Sequence, residues 1–397
     1  MRILTVCTST NVFGAEVVTL KMLEGFQRAG HAQLALTTTW TDGNFNRRLA
    51  TLGIPEVRLP FGSLSKRLAP RPMWWTFNAV IRLPWLWMGW RRAMQRFNPD
   101  VVIFTTWRHA LSVYPFIKGR CSFLIEYTYL TPTRTRRALY WLLSRRLTGF
   151  IAVSQFMRDH SFKIGAPVEK VHLARSGVFS ESDPLRYERG DLQFDRPVDD
   201  KLRIGIIGQV APHKGHACLI DAVGLLYKEG LGLDVYVFGT GDPKYVSTLK
   251  KKLRELRLHG LFHWMGYKKN PAEIYRTFDV CVVPSLSGDP FPTVAMEAAA
   301  YARPVIASRA GGLPEIVEDG VTGWLAEPGS TEELAKYIRE FVKNRAIIQR
   351  MGQAGRERVF SEFSQEKMVG ELEQIFRKAK QREARVARSS ASEERPA

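Results

Sequence analysis

Short apolar runs recur along the chain, each closed by a glycine or polar turn and followed by a stretch with helix-like amphipathic spacing. Runs of this length are too short for helices and too continuously apolar for half-exposed strands. They predict buried parallel strands joined by crossover helices. In the first half, strands are expected near 3–7, 32–37, 101–104, 123–126 and 150–153. In the second they fall near 202–207, 233–238, 280–283 and 304–307. A chain of 397 residues is too long for one ordinary core, and the pattern divides into two Rossmann-like units.

Residues 180–201 carry Pro184, Pro197 and seven acidic side chains with weak apolar periodicity, which marks a linker. The expected division is a first domain over 1–180, a linker over 181–201 and a second domain over 202–361. A helix over 362–379 and a charged, Ser/Ala-rich tail over 380–397, expected to be disordered, complete the chain. The four cysteines form no Cys-x-x-Cys pair and suggest neither a disulfide framework nor a zinc site. Residues 1–20 lack the apolar core of a signal peptide, so a reducing cytoplasm is the expected location.

Charge divides unevenly. Residues 1–180 hold 25 Lys/Arg against 8 Asp/Glu, a net +17, while the rest hold 33 against 31, a net +2. A one-sided excess of this kind marks a surface facing something anionic: nucleic acid, a membrane leaflet or an acidic substrate.

Several motifs carry little. Gly239-Thr240-Gly241 follows a strand, but Lys244 stands where a dinucleotide fingerprint needs its third glycine, so a plain strand-to-helix turn is expected. His213 and His216 lack a companion ligand cluster and read as two solvated imidazoles on a loop. No Gly-x-Ser-x-Gly elbow or Ser-His-Asp order supports hydrolase chemistry.

The segment 282–327 says most. A buried strand ends in a Pro/Ser/Gly loop and enters a helix near Pro292, with Ala298 to Ala300 behind it. Ligands sit at this carboxyl edge of a parallel sheet, and free N–H groups at a helix start favour a phosphate. Asp289 and Glu297 bracket that helix start, and carboxylates beside a phosphate need hydroxyl donors such as those of a ribose and a hexose.

This stretch, Asp289-Pro290-Phe291-Pro292-Thr293-Val294-Ala295-Met296-Glu297-Ala298, resembles the donor-binding motif of the retaining glycosyltransferase family 4. Gly311-Gly312-Leu313-Pro314-Glu315, Asp319-Gly320-Val321-Thr322-Gly323, Gly208-Gln209-Val210, Lys214-Gly215, Val153-Ser154, Gly177-Val178 and Phe13-Gly14-Ala15-Glu16 resemble further landmarks of that family in its order. The resemblance implies a GT-B fold: two Rossmann-like α/β domains facing across a cleft, with a C-terminal helix crossing back to the N-terminal, acceptor-binding domain. It implies that Glu297 holds the ribose, that Asp289 meets the transferred sugar, and that Lys214 binds the diphosphate. Gly208, Gln209, Phe291, Pro292 and the N–H groups of Thr293 and Val294 would line the donor site, with Gly266 and Tyr267 facing the base. It implies no cofactor and no metal, the nucleotide sugar being UDP- or GDP-linked.

Three positions depart from the family pattern. Asp289 is one methylene shorter than the usual Glu, and Gln209 replaces an arginine. Where family members often place a reacting histidine, this chain has Glu126, and His109 is the other acceptor-side candidate beside Gly14 and Glu16.

Residues 67–97 hold five of the ten tryptophans among many arginines. A spanning segment is excluded by Arg82 and Pro84 in its middle. Leu86, Trp90, Ala93 and Phe97 make one helical stripe for a core, leaving Trp85, Trp87 and Met88 beside Arg91, Arg92 and Arg96, the composition of an interfacial helix on anionic lipid. The competing reading is an ordinary amphipathic helix with a solvated basic side. The expectation is a hexosyltransferase, peripheral on the inner face of the plasma membrane, acting on a glycolipid or polysaccharide intermediate of lipopolysaccharide or exopolysaccharide type. Sugar-nucleotide epimerisation on a similar fold is the alternative. Nucleic-acid binding rests on charge alone and finds no motif.

Overall fold

The computed structural model describes residues 1–7, 14–62, 70–187 and 201–393. They form two compact α/β units, one built from 1–177 together with 365–397 and the other from 178–364. In the first unit the strands are β1 (Arg2–Val6), β2 (Ala32–Thr38), β3 (Glu56–Leu59), β4 (Val101–Phe104), β5 (Ser122–Glu126), β6 (Gly149–Ala152) and β7 (Val171–Leu173). They pair in the order β3-β2-β1-β4-β5-β6-β7, every neighbour parallel. The second unit holds β8 (Leu202–Ile207), β9 (Leu233–Phe238), β10 (Phe262–Gly266), β11 (Val280–Val283), β12 (Val305–Ser308) and β13 (Gly323–Ala326). Their order is β10-β9-β8-β11-β12-β13, again parallel throughout.

The nine strands expected from sequence are present. The four that sequence reasoning missed, β3, β7, β10 and β13, are the outermost strands of the two sheets. An edge strand is covered on fewer sides and keeps polar residues, as Glu56-Val57-Arg58-Leu59 and Val171-His172-Leu173 do, so it lacks the apolar run that betrays a central strand. Glu56 and Arg58 stand on opposite strand faces from Val57 and Leu59, a pattern too short to read alone.

The division of the chain also differs from the expected one. The units part at Gly177/Val178, and residues 188–200 of the expected linker lie outside the described residues. The last helix runs Gln365–Glu393, well past the expected stop at 379, so residues 380–393 of the tail read as disordered are helical. Its start belongs to the first unit's core: Met368, Leu372 and Phe376 are buried, and Phe376 packs on Phe26 and Phe123 with ring centroids 6.2 and 5.2 Å apart. Further along, Lys380 Nζ donates to Asp100 Oδ1 at 2.5 Å, which ties down residues whose composition alone gave no reason to order.

The Trp/Arg segment forms two helices, Pro70–Ile81 and Leu83–Phe97, separated where Pro84 would lack an N–H for the preceding turn. Leu86, Trp90, Ala93 and Met94 are buried, and Phe97 is half-buried. Trp87 corrects the expectation for it. Its indole Nε1 donates to Ser112 O at 3.0 Å and its ring meets Phe116 edge-on at 5.5 Å, so it belongs to the domain and not to an outward face. The outward apolar face is larger than expected on the other helix: Trp74, Phe77, Val80 and Ile81 are exposed alongside Trp85 and Met88. No helix of the described residues is long and apolar enough to cross a membrane.

Candidate active site

In the second sheet the chain builds outward from β8 to β10 and then returns to place β11 on β8's other side. The loops leaving β8 and β11 therefore part in opposite directions, opening the crevice where parallel sheets bind ligands. Three glycines let neighbouring loops touch there. Gly208 (φ 133) and Gly239 (φ 131) lie so close that a Cβ on Gly239 would stand 1.9 Å from Gly208 O. A Cβ on Gly215 (φ 74) would stand 1.8 Å from Pro284 O, a contact that presses the loop after β8 onto the loop after β11. The same approach explains Gly239-Thr240-Gly241: a Cβ on Gly241 would meet Val210 O at 2.0 Å, and Asp242 caps the helix that follows through the N–H groups of Lys244 and Tyr245. It is a strand-to-helix turn, as its sequence suggested.

With those loops pressed together, Leu286 N–H donates to His213 O at 2.8 Å and the Lys214 ammonium forms an ion pair with the Asp289 carboxylate. A third loop, after β12, reaches the same place. Gly312 N–H donates to Asp289 O at 2.9 Å, and Gly311 (φ 61) could not carry a Cβ, which would fall 2.2 Å from that oxygen. Asp289 is thus fixed by its backbone while its side chain, like that of Lys214, stays partly exposed. Residues 75 positions apart, implicated separately in the sequence, share one site.

Glu297 lies on the helix Thr293–Ala300 that starts beside this crevice. Its Oε2 accepts the Tyr275 hydroxyl at 2.8 Å, and Thr293 also bonds the carboxyl. Burial pushes its pKa up, and those two donors oppose the shift. Tyr275 was invisible to sequence reasoning because its partner lies 22 residues away; Arg303, buried, adds a layer by donating to Tyr275 O at 2.7 Å. Phe291 turns inward and packs on Phe363 at 5.5 Å, so its side chain is core, and Pro292 is buried at the helix start. Thr293 is nearly buried and Val294 half-buried, whereas Gln209 is exposed. Gly266 (φ 67) accepts the Gly239 N–H at 2.8 Å and turns the chain so that Tyr267 stands out into solvent.

His213 is exposed, as expected. His216 is not: it is 4% exposed, neither ring nitrogen has a partner among the described residues, and burial lowers its pKa to about 4. It opens the helix His216–Lys228, whose other inward positions are apolar, so the expected solvated imidazole is a neutral one packed in the interior.

The first sheet has the same reversal, between β1 and β4. Gly14 and Glu16 open the helix Gly14–Arg28 after β1, and His109 lies on the helix Trp107–Ser112 after β4. Phe13 lies outside the described residues. His109 is buried edge-on against Phe61 at 5.0 Å, and burial with the nearby Arg108 drives its pKa down to about 3. Glu126 ends β5 and is 3% exposed; the Tyr140 hydroxyl donates to its Oε2 at 2.8 Å. Burial raises that carboxyl to about 8, so at neutral pH it is a protonated acid and not an anion. Ser154 caps the helix Gln155–Lys163 by accepting Met157 N–H at 3.0 Å, and Gly177 sits at the junction of the two units. Those two landmarks therefore have local structural work of their own.

The family model described as "Glycosyl transferases group 1" matches residues 190–358, and the one described as "Glycosyltransferase Family 4" matches residues 12–181. Among curated relatives, the amylovoran biosynthesis glycosyltransferase AmsK of Erwinia amylovora is 26% identical over 235 residues, covering 57% of this chain and 55% of the relative. The N-acetyl-alpha-D-glucosaminyl L-malate synthase of Bacillus anthracis is 30% identical over 156 residues, covering 39% and 41%. The chain spans about half the length of the curated relatives it matches. Among solved structures, HepE of Anabaena in complex with UDP and glucose superposes with a TM-score of 0.75 at 20% identity, over 94% of this chain and 99% of that one. The lipopolysaccharide outer core galactosyltransferase WaaB, in its apo form, gives 0.67 at 15%, over 95% and 100%. The two parallel-sheet units have the GT-B fold, and with one family model matching 12–181 and the other 190–358 the chain belongs to glycosyltransferase family 4.

Proposed function

We propose that the protein transfers a hexose from a UDP- or GDP-linked donor, with retention and without a metal ion, to a membrane-associated glycolipid or polysaccharide intermediate. The observation that carries this reading is the Lys214–Asp289 pair at the switch point of the second sheet, with Glu297 on the adjoining helix. Lys214 is held by a carboxylate before donor arrives. A diphosphate entering the crevice exchanges that partner for phosphate oxygens, and frees Asp289 to accept hydrogen bonds from the sugar. Glu297, already bonded by Tyr275, receives the ribose hydroxyls. Preorganised N–H groups at the start of Thr293–Ala300 and the Lys214 ammonium stabilise the leaving diphosphate in the place a metal would take. Gly266 and Tyr267 face the base, and Gly14 and Glu16 face the acceptor.

Relatives support the ligand classes: the HepE structure is a complex with UDP and glucose, and AmsK and the Staphylococcus aureus glycosyltransferase CapM are named for amylovoran and capsular polysaccharide biosynthesis. The exposed face of Trp74, Phe77, Val80, Ile81, Trp85 and Met88, with Arg92 and Arg96 exposed on the same pair of helices, supports attachment to the inner leaflet of the plasma membrane. Incubation with labelled UDP- and GDP-sugars, with and without a membrane extract, tests the whole reading. Label should pass from one donor into the lipid fraction only when both are present. Interconversion of the free donor without transfer would replace this reading with epimerisation.

A further inference from the structure

A cavity of about 900 Å³ opens in the first unit, on the side away from the acceptor-side residues. Its walls are the turns leading into β5, β6 and β7, at 119–120, 147–148 and 169–170, and the face of the last helix around 371–383. It therefore lies at the amino edge of the sheet, whereas parallel sheets carry their reactions at the carboxyl edge.

Six cationic side chains line it: Arg120, Arg145, Arg146, Arg158, Lys378 and Arg382. None of the six has an ion-pair partner among the described residues. Arg145 lies over the Trp141 ring at 5.0 Å and Arg146 over the Tyr114 ring at 5.2 Å, cation–π contacts that hold both guanidinium groups without neutralising their charge. The Nε of Arg158 is buried with no partner among the described residues. A seventh cation, Lys170, is already used by Ser144 O at 2.6 Å and Leu147 O at 3.1 Å. Two of the three carboxylates in the walls are also engaged, Glu371 by Arg175 N–H at 3.0 Å and Glu383 by the Thr148 hydroxyl at 3.3 Å. Seven cations against three carboxylates leave the hollow positive, and the chemistry that relieves that excess is a multivalent oxyanion able to accept paired N–H donors.

We propose that this hollow is an anion site for a phosphate or diphosphate group, and that its occupant ties the far part of the last helix to the sheet. Arg120, Arg145, Arg146 and Arg158 come from the sheet's side of the hollow, Lys378 and Arg382 from the helix, so one ligand bridges both. The proposal does not rest on the transferase reading.

Inorganic pyrophosphate is the probe, measured by calorimetry and by thermal shift in a Lys214→Ala background that removes the lysine assigned to the donor diphosphate. Pyrophosphate should still bind and stabilise that protein. Adding Arg158→Gln and Arg382→Gln should weaken binding by about tenfold or more and abolish the shift, while the Tm without anion stays level or rises as repulsion is relieved. Should that pair lower the Tm, Arg120→Gln with Arg145→Gln, on the sheet side, must show the same loss of binding. Unchanged pyrophosphate affinity in both pairs overturns the proposal. Flotation with phosphatidylcholine vesicles, with and without phosphatidic acid, then identifies the source. Loss of phosphatidic acid-dependent flotation in the variants assigns the group to a lipid headgroup, and unchanged flotation beside lost pyrophosphate binding assigns it to a soluble phosphate.

Discussion

Lys214 and Asp289 neutralise one another at the crevice of the second sheet, and in the proposed function a donor diphosphate separates them. Removing a preorganised charge that stabilises a leaving group costs roughly 100-fold or more in turnover. Lys214→Ala should therefore lower kcat by that order in a protein that keeps its Tm, and unchanged turnover in such a protein would remove the donor-site assignment. The two carboxylates are expected to separate by ligand. Glu297→Gln should weaken binding of the free nucleoside diphosphate and the nucleotide sugar alike, while Asp289→Asn should spare the diphosphate; equal effects on both ligands would show that the roles are not divided. Glu126 makes a prediction about stability. Its carboxyl rises from the ordinary 4.5 to about 8 on folding, so between those values the folded protein keeps a proton that the unfolded chain has lost. That contribution is complete below pH 4.5 and is lost as pH climbs toward 8, at up to about 1.4 kcal/mol per pH unit. Glu126→Gln cannot titrate, and its unfolding free energy should gain on the wild type as pH rises from 5 to 8. Parallel curves from denaturant titrations would mean that Glu126 is not held protonated.

At the scale of elements, the pair of helices Pro70–Ile81 and Leu83–Phe97 separates two kinds of tryptophan. Trp85 is 58% exposed, whereas Trp87 is bonded to Ser112 and packed on Phe116. Both lie off the apolar stripe in sequence, and only the neighbouring helix and turn at 107–116 distinguish them. Trp87→Ser should therefore lower the Tm with or without lipid, and Trp85→Ser with Phe77→Ser should leave the Tm alone and weaken the salt-resistant part of vesicle binding. Arg92→Gln with Arg96→Gln should remove the salt-sensitive part, since each basic side chain near an anionic leaflet contributes about 1 kcal/mol. Thermal denaturation reads the first, and flotation against vesicles of anionic and neutral lipid at low and high salt reads the other two. Equal flotation on both lipids would leave these helices as an ordinary amphipathic pair. Exposed arginine and tryptophan are legible as composition, but which of them faces outward is a property of what packs beside the helix.

For the whole molecule, the first unit is built from both ends of the chain. Phe376, fully buried between Phe26 and Phe123, joins Met368 and Leu372 in completing a core whose remaining members come mainly from the first 177 residues. Phe376→Ala should cost about 3–5 kcal/mol of that unit's stability, the usual loss for truncating a buried aromatic. A fragment ending at Gly177 should accordingly fail to give a cooperative unfolding transition unless a peptide covering 365–393 is added. Cooperative unfolding of the fragment alone would show that the last helix is an accessory.

Local pattern sufficed for the central strands, because a strand buried on both faces writes an unbroken apolar run into its own residues. It sufficed also to place Asp289 and Glu297 around one strand-to-helix turn, because they lie close together along the chain. The edge strands, the inward turn of Trp87, the burial of His216 and the protonated Glu126 could not be read in that way, since each depends on what a distant segment places beside it. The last helix shows the limit most plainly. Residues 380–393 have the composition of a disordered tail and yet continue a helix, one that Met368, Leu372 and Phe376 anchor in the first unit's core and that Lys380 ties to Asp100. Composition reports what a segment can bury by itself; order there comes from surface and charge supplied by residues some 280 positions away, and only the folded chain brings them together.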